Sequence, residues 1–347
     1  MSLKTAILGY GRSGSTLHAD PIEKLPDFNL TAVCDIEPEA RRKAYERFGC
    51  DVYEDYRQML AKEDIDLVVI VTRSDQHCIM TCDCLEAGKN VLVTKPWALN
   101  INEAYEMVKA AKKNGKILMP WLPARWGCDL LKVKKLVESG VIGRVFQIRR
   151  SEFSFGIRSD WQTQKKFGGG YLLNWGPHLV DQPIQLAGEP VVSVYGEMKK
   201  INNPGDVEDV FFAVMKTENG TTIISEYNIG SDRLPNWVIQ GDRGTIYVKE
   251  TEIEIHKVNY PESFDPVSYR NPVKIEVIED HATGTNRVTV GNRYGDAMVI
   301  YPHIAGAIRG DAPYMVTLES TLNLTRVLDA IRQSAETGQV VNLPYSK

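Results

Sequence analysis

KTAILGYGRSG, residues 4–14, is the segment that decides the fold of this chain. Lys4–Leu8 predicts a buried strand, and the glycines that follow it fit the pattern G-x-G-x-x-G ahead of a helix predicted from about Ser15 to Leu25. In this pattern the first glycine allows a tight turn, the second lets the backbone approach a diphosphate, and the third permits close helix–strand packing. The free N–H groups at the helix start favour phosphate. We therefore predict a dinucleotide-binding loop made of Gly9, Tyr10, Gly11, Arg12, Ser13 and Gly14.

An acidic residue stands where such a loop needs one. Asn29–Cys34 predicts the second strand, and Asp35 follows it, about 20 residues beyond the glycines as this pattern requires. A carboxylate there accepts hydrogen bonds from the adenosine ribose hydroxyls and repels a 2′-phosphate. The sequence therefore favours NAD over NADP. Arg41 and Arg42 keep NADP open, although arginines on a helix are more often solvated surface.

The first 120 residues repeat the order strand, helix, strand with short connections. Leu67–Val71 is continuously apolar, which is typical of a parallel strand covered on both faces. The other predicted elements are helices at Pro38–Phe48, Gln76–Ala87 and Asn102–Asn114 and strands at Asn90–Val93 and Lys116–Met119. This winding predicts a Rossmann domain, with a doubly wound parallel sheet, over residues 1–121.

The pattern changes after Pro120. Strand-like segments dominate, separated by turn signals such as Glu218-Asn219-Gly220, with a helix predicted at about Tyr171–Leu186. The strands are predicted at Val145–Phe155, Val191–Met198, Val210–Lys216, Thr221–Tyr227, Trp237–Ile239 and Thr245–Lys249, with closing helices near Asp296–Ile308 and Leu318–Thr337. We predict an α+β domain over residues 122–347, with an open, mostly antiparallel sheet flanked by helices, and allow the closing helices to pack back on the first domain.

Composition excludes several classes of partner. The net charge of −4 argues against nucleic acid, which needs a basic face. No apolar run reaches the roughly 18–20 residues of a membrane-spanning helix, and the first residues do not resemble a signal peptide. The six cysteines lack the spacing of a metal site, so we predict reduced thiols, no metal and a cytoplasmic location.

Three further segments carry a resemblance to a known family: Val93-Thr94-Lys95-Pro96, Thr72-Arg73-Ser74-Asp75-Gln76-His77, and the run from Gly168-Gly169-Gly170 through Asn174 and His178 to Asp181. The chain resembles the Gfo/Idh/MocA oxidoreductases, which include glucose–fructose oxidoreductase and inositol dehydrogenase. The resemblance extends over essentially the whole chain. It implies a nicotinamide cofactor, a sugar or polyol as substrate, and a homodimer or homotetramer.

The chemistry of these residues agrees with that implication. Oxidation of a carbinol needs a base for the O–H proton, and histidine titrates closest to neutral pH, so His178 is the candidate acid–base group. Lys95, placed by Pro96, can hold the substrate oxygen and stabilise developing negative charge. On a helix, Asn174 lies one turn before His178, where it could orient the imidazole or bind a substrate hydroxyl.

Other positions have weaker assignments. The resemblance places Thr72, His77, Thr94 and also Lys95 near the cofactor, although His77 could equally well simply begin its helix. It places Arg125 and Trp161 near the substrate. We expect Asp181 to be a structural hydrogen-bonding residue and His18 to lie on the surface.

The chain departs from the family pattern at three places. Thr94 replaces a glutamate, Asn174 replaces an aspartate, and Arg73-Ser74 replaces Pro-Asn. The first two changes remove carboxylates near the reacting groups, which leaves the substrate and the pH optimum open.

We therefore predict an NAD(P)-dependent oxidoreductase acting on a secondary alcohol or ketone of a sugar, polyol or related metabolite. Two alternatives stay open. One is an NAD-dependent glycosidase on the same scaffold, which would release a sugar with no net change in NADH. The other is a non-catalytic NAD(P)-binding sensor, suggested by Thr94 and Asn174.

Overall fold

The structure is a computed structural model that describes residues 2–61, 64–232, 234–268, 270–283 and 292–344. The chain forms two compact units. The first unit comprises Met1–Pro123, Asp160–Pro177 and Asp296–Asp329. The second unit comprises Ala124–Ser159, His178–Gly295 and Ala330–Lys347. Each unit is therefore assembled from segments that are distant in the chain.

The first unit contains a six-stranded sheet whose neighbouring strands are all parallel. Its strands are β1 (Leu3–Leu8), β2 (Phe28–Cys34), β3 (Asp51–Tyr53), β4 (Leu67–Ile70), β5 (Asn90–Val93) and β6 (Leu118–Pro120). Their order is β3-β2-β1-β4-β5-β6. The order reverses between β1 and β4, which is the crevice where sheets of this kind bind dinucleotides. The structure confirms the predicted Rossmann sheet.

The second unit contains a nine-stranded sheet in the order β14-β13-β12-β11-β7-β10-β9-β8-β15. Its strands are β7 (Val145–Phe153), β8 (Val191–Lys199), β9 (Val210–Thr217), β10 (Thr222–Asn228), β11 (Trp237–Gly241), β12 (Gly244–Lys249), β13 (Glu252–Asn259), β14 (Lys274–His281) and β15 (Val341–Asn342). Only β7 and β10 pair in parallel among the described strands of this sheet. The prediction of a mostly antiparallel sheet is confirmed.

Helices connect and flank these strands. They are α1 (Ala19–Lys24), α2 (Pro38–Phe48), α3 (Tyr56–Leu60), α4 (His77–Glu86), α5 (Ile101–Asn114), α6 (Cys128–Glu138), α7 (Tyr171–Leu179), α8 (Asp181–Ala187), α9 (Ala297–Arg309) and α10 (Leu318–Thr337). Ahead of α1 the chain is already helical from residue 12, with a π-helical stretch at Gly14–His18. Among the described residues, no helix is both long and apolar enough to span a bilayer.

The single helix predicted at Tyr171–Leu186 is wrong, because the chain forms α7 and α8 with Val180 between them. Pro183, the third residue of α8, has no N–H to donate to the carbonyl of Leu179. The hydroxyl of Ser225 donates to that carbonyl instead, at 2.8 Å. The break therefore has a local cause in the sequence and a partner on β10.

His18 is buried, with 1% of its surface exposed, so its predicted surface position is wrong. Its Nδ1 lies 2.8 Å from the hydroxyl of Tyr301, and its ring packs against Trp121 with centroids 4.9 Å apart. Burial lowers the pKa of His18 to about 3. The imidazole therefore stays neutral in the folded protein at ordinary pH.

We expect this histidine to make the protein less stable in acid. The unfolded chain takes up a proton near pH 6.5, whereas the folded His18 does so only near pH 3, so stability falls as the pH drops through that window and is unaffected above it. At pH 5 the residue should lower the free energy of unfolding by about 2 kcal/mol relative to pH 7.5. Urea unfolding at both pH values checks this, because His18→Gln should show a smaller difference between them. An equal difference in both proteins would contradict the assignment.

Candidate functional site

The glycine loop of the first unit has the geometry of a diphosphate cradle. A Cβ on Gly14 would lie 2.0 Å from the backbone oxygen of Gly9, so this position requires glycine for packing. Gly9 has a φ of +91°, and a Cβ there would lie 2.8 Å from the backbone oxygen of Val71. A Cβ on Gly11 would meet nothing within 4 Å. Gly11 therefore borders open space at the start of the helix, which is where a diphosphate approaches the backbone.

Asp35 is tied to this loop through its carboxylate. The backbone N–H of Tyr10 donates to Oδ2 at 2.7 Å, and that of Glu37 donates to Oδ1 at 2.8 Å. The structure thus brings together the loop and the acid that the sequence predicted for the ribose. The side chain of Tyr10 points into the core and packs edge-on against Phe48, so this residue faces the loop with its backbone alone.

Arg41 and Arg42, near Asp35, already contact acidic or backbone groups of the protein. Arg41 donates to the backbone oxygens of Asp35 and Ile36 at 2.7 and 3.0 Å and pairs with Glu54 at 3.3 Å. Its description as solvated surface is therefore wrong, since only 18% of its side chain is exposed. Arg42 is on the surface, paired with Glu39 and Glu46. Both guanidinium groups thus already have acidic partners.

Two glycine substitutions separate packing from binding. Gly14→Ala should lower the free energy of unfolding by about 1–3 kcal/mol, because its methyl group would collide with backbone. Gly11→Ala should keep the melting temperature but weaken NAD binding by on the order of tenfold, because its methyl group would occupy the open space beside the loop. Thermal melts and NAD titration measure the two effects. Equal NAD affinity of Gly11→Ala and the unchanged protein would contradict a diphosphate at this loop.

His77 lies between the segments that follow β4 and β5. It begins α4, with its Nδ1 2.7 Å from the backbone oxygen of Pro96 and its Nε2 3.0 Å from that of Thr72. The ring is buried, which lowers the pKa of His77, and a neutral imidazole donates to only one of these two oxygens. His77 begins its helix, as one of the two alternatives has it, and its predicted cofactor contact stays a prediction. The hydroxyl of Thr72 donates to the sulfur of Met80 at 3.5 Å.

Lys95 and Asn174 meet at the carboxyl end of β5. The Nζ of Lys95 donates to Oδ1 of Asn174 at 2.5 Å and to its backbone oxygen at 2.7 Å. The hydroxyl of Thr94 donates to the backbone oxygen of Ile70 at 2.9 Å, so it secures the strand end. Asn174 therefore binds the lysine amine through two uncharged oxygens, at the position where the family pattern has an aspartate. His178 lies one turn further along α7.

The segment before α7 depends on its glycines. Trp161 is half-buried and opens a short 3₁₀ helix. The N–H of Gly170 donates to the backbone oxygen of Gln162 at 2.9 Å. A Cβ on Gly168 would lie 2.4 Å from the side chain of Leu99. The glycine triplet thus serves close packing at the start of α7.

In the second unit, Arg125 forms a buried ion pair with Asp181. Its Nε and Nη2 donate to the two carboxylate oxygens at 2.9 and 2.8 Å, and 5% and 1% of the two side chains are exposed. The structural role expected for Asp181 agrees with this pair. The pair directs the guanidinium to the first residue of α8, and the substrate contact predicted for Arg125 stays a prediction. Breaking such a buried pair is strongly destabilising.

His178 is buried in the second unit, with 6% of its surface exposed, and its ring packs against Tyr294 with centroids 5.3 Å apart. Tyr294 donates its hydroxyl to Glu152 at 2.9 Å. Neither Tyr294 nor Glu152 was identified from the sequence, since no motif surrounds them. Among the described residues, no group of three or more His, Cys, Asp or Glu side chains is arranged to hold a metal ion.

Two family models match the chain. The oxidoreductase family model with a NAD-binding Rossmann fold (GFO_IDH_MocA) matches residues 3–121, and the model of its C-terminal alpha/beta domain matches residues 134–343. The chain is 24% identical to the scyllo-inositol 2-dehydrogenase (NADP(+)) IolW of Bacillus subtilis, over 99% of this chain and 97% of that protein.

Solved structures agree in fold. A NAD-binding protein from Listeria innocua has a TM-score of 0.82 at 27% identity, covering 99% of this chain and 97% of that one. The WlbA dehydrogenase from Chromobacterium violaceum, in complex with NADH and UDP-GlcNAcA, has a TM-score of 0.79 at 25% identity. That match covers 100% of this chain and 97% of the WlbA chain.

Proposed function

The chain belongs to the Gfo/Idh/MocA oxidoreductase family, with its NAD-binding Rossmann domain, and on that premise we propose that it oxidises or reduces one carbon of a sugar, polyol or related metabolite. The reacting group is a secondary alcohol or its ketone. The observation that carries the proposal is the contact of Lys95 with Asn174, in the same unit as the glycine loop and Asp35. It leaves a cationic amine fixed at the carboxyl end of β5, where α/β sheets bind their ligands.

Each residue has a defined task in this proposal. The nicotinamide, when bound, accepts the hydride in oxidation and returns it in reduction. His178 takes the proton from the alcohol, or gives one to the ketone. Lys95 donates a hydrogen bond to the substrate oxygen and stabilises its negative charge as it develops. Asn174 holds the amine of Lys95 through two oxygens and so sets its direction.

We further propose NAD as the preferred cofactor. The carboxylate of Asp35 is held in place by two backbone N–H groups, so it cannot easily swing away from a 2′-phosphate. Arg41, a candidate to neutralise that phosphate, pairs with Glu54 and donates hydrogen bonds to two backbone oxygens. Because IolW is named as an NADP(+) enzyme, both cofactors belong in the test.

The test is a substrate panel that follows the absorbance of the reduced nicotinamide. Inositols, aldoses, glycosides and sugar acids are offered with NAD and with NADP, and the corresponding ketones with the reduced forms. We expect turnover with at least one polyol or sugar and a higher kcat/KM with NAD. Tight cofactor binding without turnover across the panel would favour a sensor, the function that Thr94 and Asn174 keep open as an alternative.

We also propose that the chain forms a homodimer or homotetramer in the cytoplasm. Along β10, Ile223, Ser225 and Tyr227 are buried while the residues between them are partly exposed, so one face of the sheet is covered less than the other. A second copy would cover that face. All six cysteines lie in the described residues and are free thiols, as a reducing compartment requires. Light scattering after gel filtration tests the assembly, and a monomer at micromolar concentration would contradict it.

A further inference from the structure

We infer that Tyr294 is the residue that positions the imidazole of His178. The inference rests on the proposed function, in which His178 moves the proton. The two rings lie in the same unit with centroids 5.3 Å apart and planes inclined by 58°. A tilted aromatic contact of this kind restricts the rotation of both rings. Tyr294 thereby selects which way the acid–base group points.

The phenol itself is held by Glu152. The hydroxyl of Tyr294 donates to Oε2 at 2.9 Å. Burial raises the pKa of Tyr294, so the phenol stays protonated and keeps this bond. Glu152 also accepts from Asn236 at 3.1 Å and from Arg293 at 3.3 and 3.4 Å. A carboxylate with that many donors has a fixed position, and it fixes the ring of Tyr294 with it.

The backbone that carries Tyr294 is equally constrained. The N–H of Cys128 donates to the backbone oxygen of Asn292 at 3.1 Å. A Cβ on Gly127 would lie 2.2 Å from the backbone oxygen of Arg293, so this close approach requires glycine. The side chain of Asn292 accepts from the N–H of Tyr294 at 2.9 Å. The segment 292–294 is thus packed against the start of α6.

A separate set of contacts locates the backbone of His178. Arg125 binds Asp181, and the fully buried Arg150 donates to Gln182 at 2.8 Å, so the first two residues of α8 are both anchored. These two contacts fix where α8 begins. Tyr294, in contrast, contacts the imidazole ring itself. Tyr294 and the arginines therefore have separable effects.

Removal of the ring should affect the chemical step more than substrate binding. In Tyr294→Leu the imidazole gains rotational freedom, and we expect kcat to fall by on the order of tenfold with KM changed less than about twofold. Tyr294→Phe keeps the ring and loses the bond to Glu152, so it should retain at least about a third of kcat. This rescue by phenylalanine separates orientation from direct participation of the hydroxyl.

The chain offers a matched control. Tyr247 packs against His256 with ring centroids 5.2 Å apart, a second Tyr–His contact on the sheet of the same unit. Tyr247→Leu removes an equivalent ring contact and should leave kcat unchanged. Thermal melts of all variants identify any general loss of folding.

The decisive measurement adds a readout that does not depend on turnover. In ¹H–¹³C spectra of the histidine rings, the signal that is absent from His178→Ala belongs to His178. Tyr294→Leu should shift that signal, whereas Tyr294→Phe and Tyr247→Leu should leave it nearly in place. An unshifted signal, or a kcat within twofold of wild type in Tyr294→Leu while His178→Ala is impaired, would overturn the inference. So would equal losses in the Phe and Leu variants, which would assign the effect to the hydroxyl. Absence of turnover in the wild-type protein would instead reject the proposed function, and the spectra would still test the ring contact.

Discussion

His178→Ala is expected to lower kcat by about 10²–10⁴-fold, the usual contribution of a positioned acid–base group. The substitution removes the imidazole from α7 and leaves alanine, a good helix former, in its place. The neighbouring backbone is held by the ion pair of Arg125 with Asp181 and by the hydrogen bond from Ser225 to the carbonyl of Leu179. We therefore expect the variant to fold and to bind NAD with nearly unchanged affinity.

Steady-state kinetics on the best substrate of the panel measure the loss, and a fluorescence titration with NADH measures cofactor affinity separately. His281→Ala is a suitable control, because that histidine is exposed on β14. It should behave like the unchanged protein. If His178→Ala loses less than about tenfold in kcat, below the usual range for acid–base catalysis, the proton role should be withdrawn.

The first unit could be predicted closely because its signals are local. A continuous apolar run such as β4 and a glycine loop with a following acid are read within about 20 residues of chain. The hydrogen bond from the N–H of Tyr10 to Asp35 joins the two parts of that pattern in the structure. β3 was missed because it has three residues and is mostly exposed, which leaves no hydrophobic periodicity to recognise.

For the second unit, the sequence predicts the mostly antiparallel sheet but misses its strands β13 and β14. β13 alternates exposed glutamates with buried isoleucines, and β14, its partner at the sheet edge, is mostly exposed. An edge strand of this kind has charged residues where a core strand has apolar ones. The sequence analysis therefore predicts no strand after Lys249 in this region, although main-chain pairing joins β13 and β14.

Residues whose roles depend on distant partners could not be found from the sequence. His18 is buried only because Tyr301, 283 positions away, and Trp121 surround it. Tyr294 and Glu152 are 142 positions apart and belong to no motif. The ion pair of Arg125 with Asp181, 56 positions further along the chain, likewise follows from the fold and from no local motif. Motifs identify candidate groups, and the tertiary contacts decide which of them face one another.

Loss of the Lys95 amine should also be severe. Lys95→Met is expected to lower kcat by about 10²–10³-fold, because it removes the only donor proposed to stabilise the negative charge on the substrate oxygen. Lys95→Arg keeps the charge, but its planar guanidinium cannot place one N–H where the ammonium held by Asn174 lies, so most of the loss should persist. Lys109→Met, at an exposed position on α5, is the matched control and should leave kcat unchanged.

Substitution of Asn174 gives an intermediate loss of kcat with which the loss in Lys95→Met can be compared. Asn174→Ala removes the 2.5 Å bond to Oδ1 but leaves the 2.7 Å bond to the backbone oxygen, so Lys95 should stay in place with more freedom. We expect about a tenfold loss of kcat, between the unchanged protein and Lys95→Met. Kinetics at saturating NAD measure all four variants, with NAD affinity determined separately. A loss in Lys95→Met that appears only as weaker NAD binding would assign the lysine to the cofactor, because a group that stabilises the substrate oxygen must affect the chemical step.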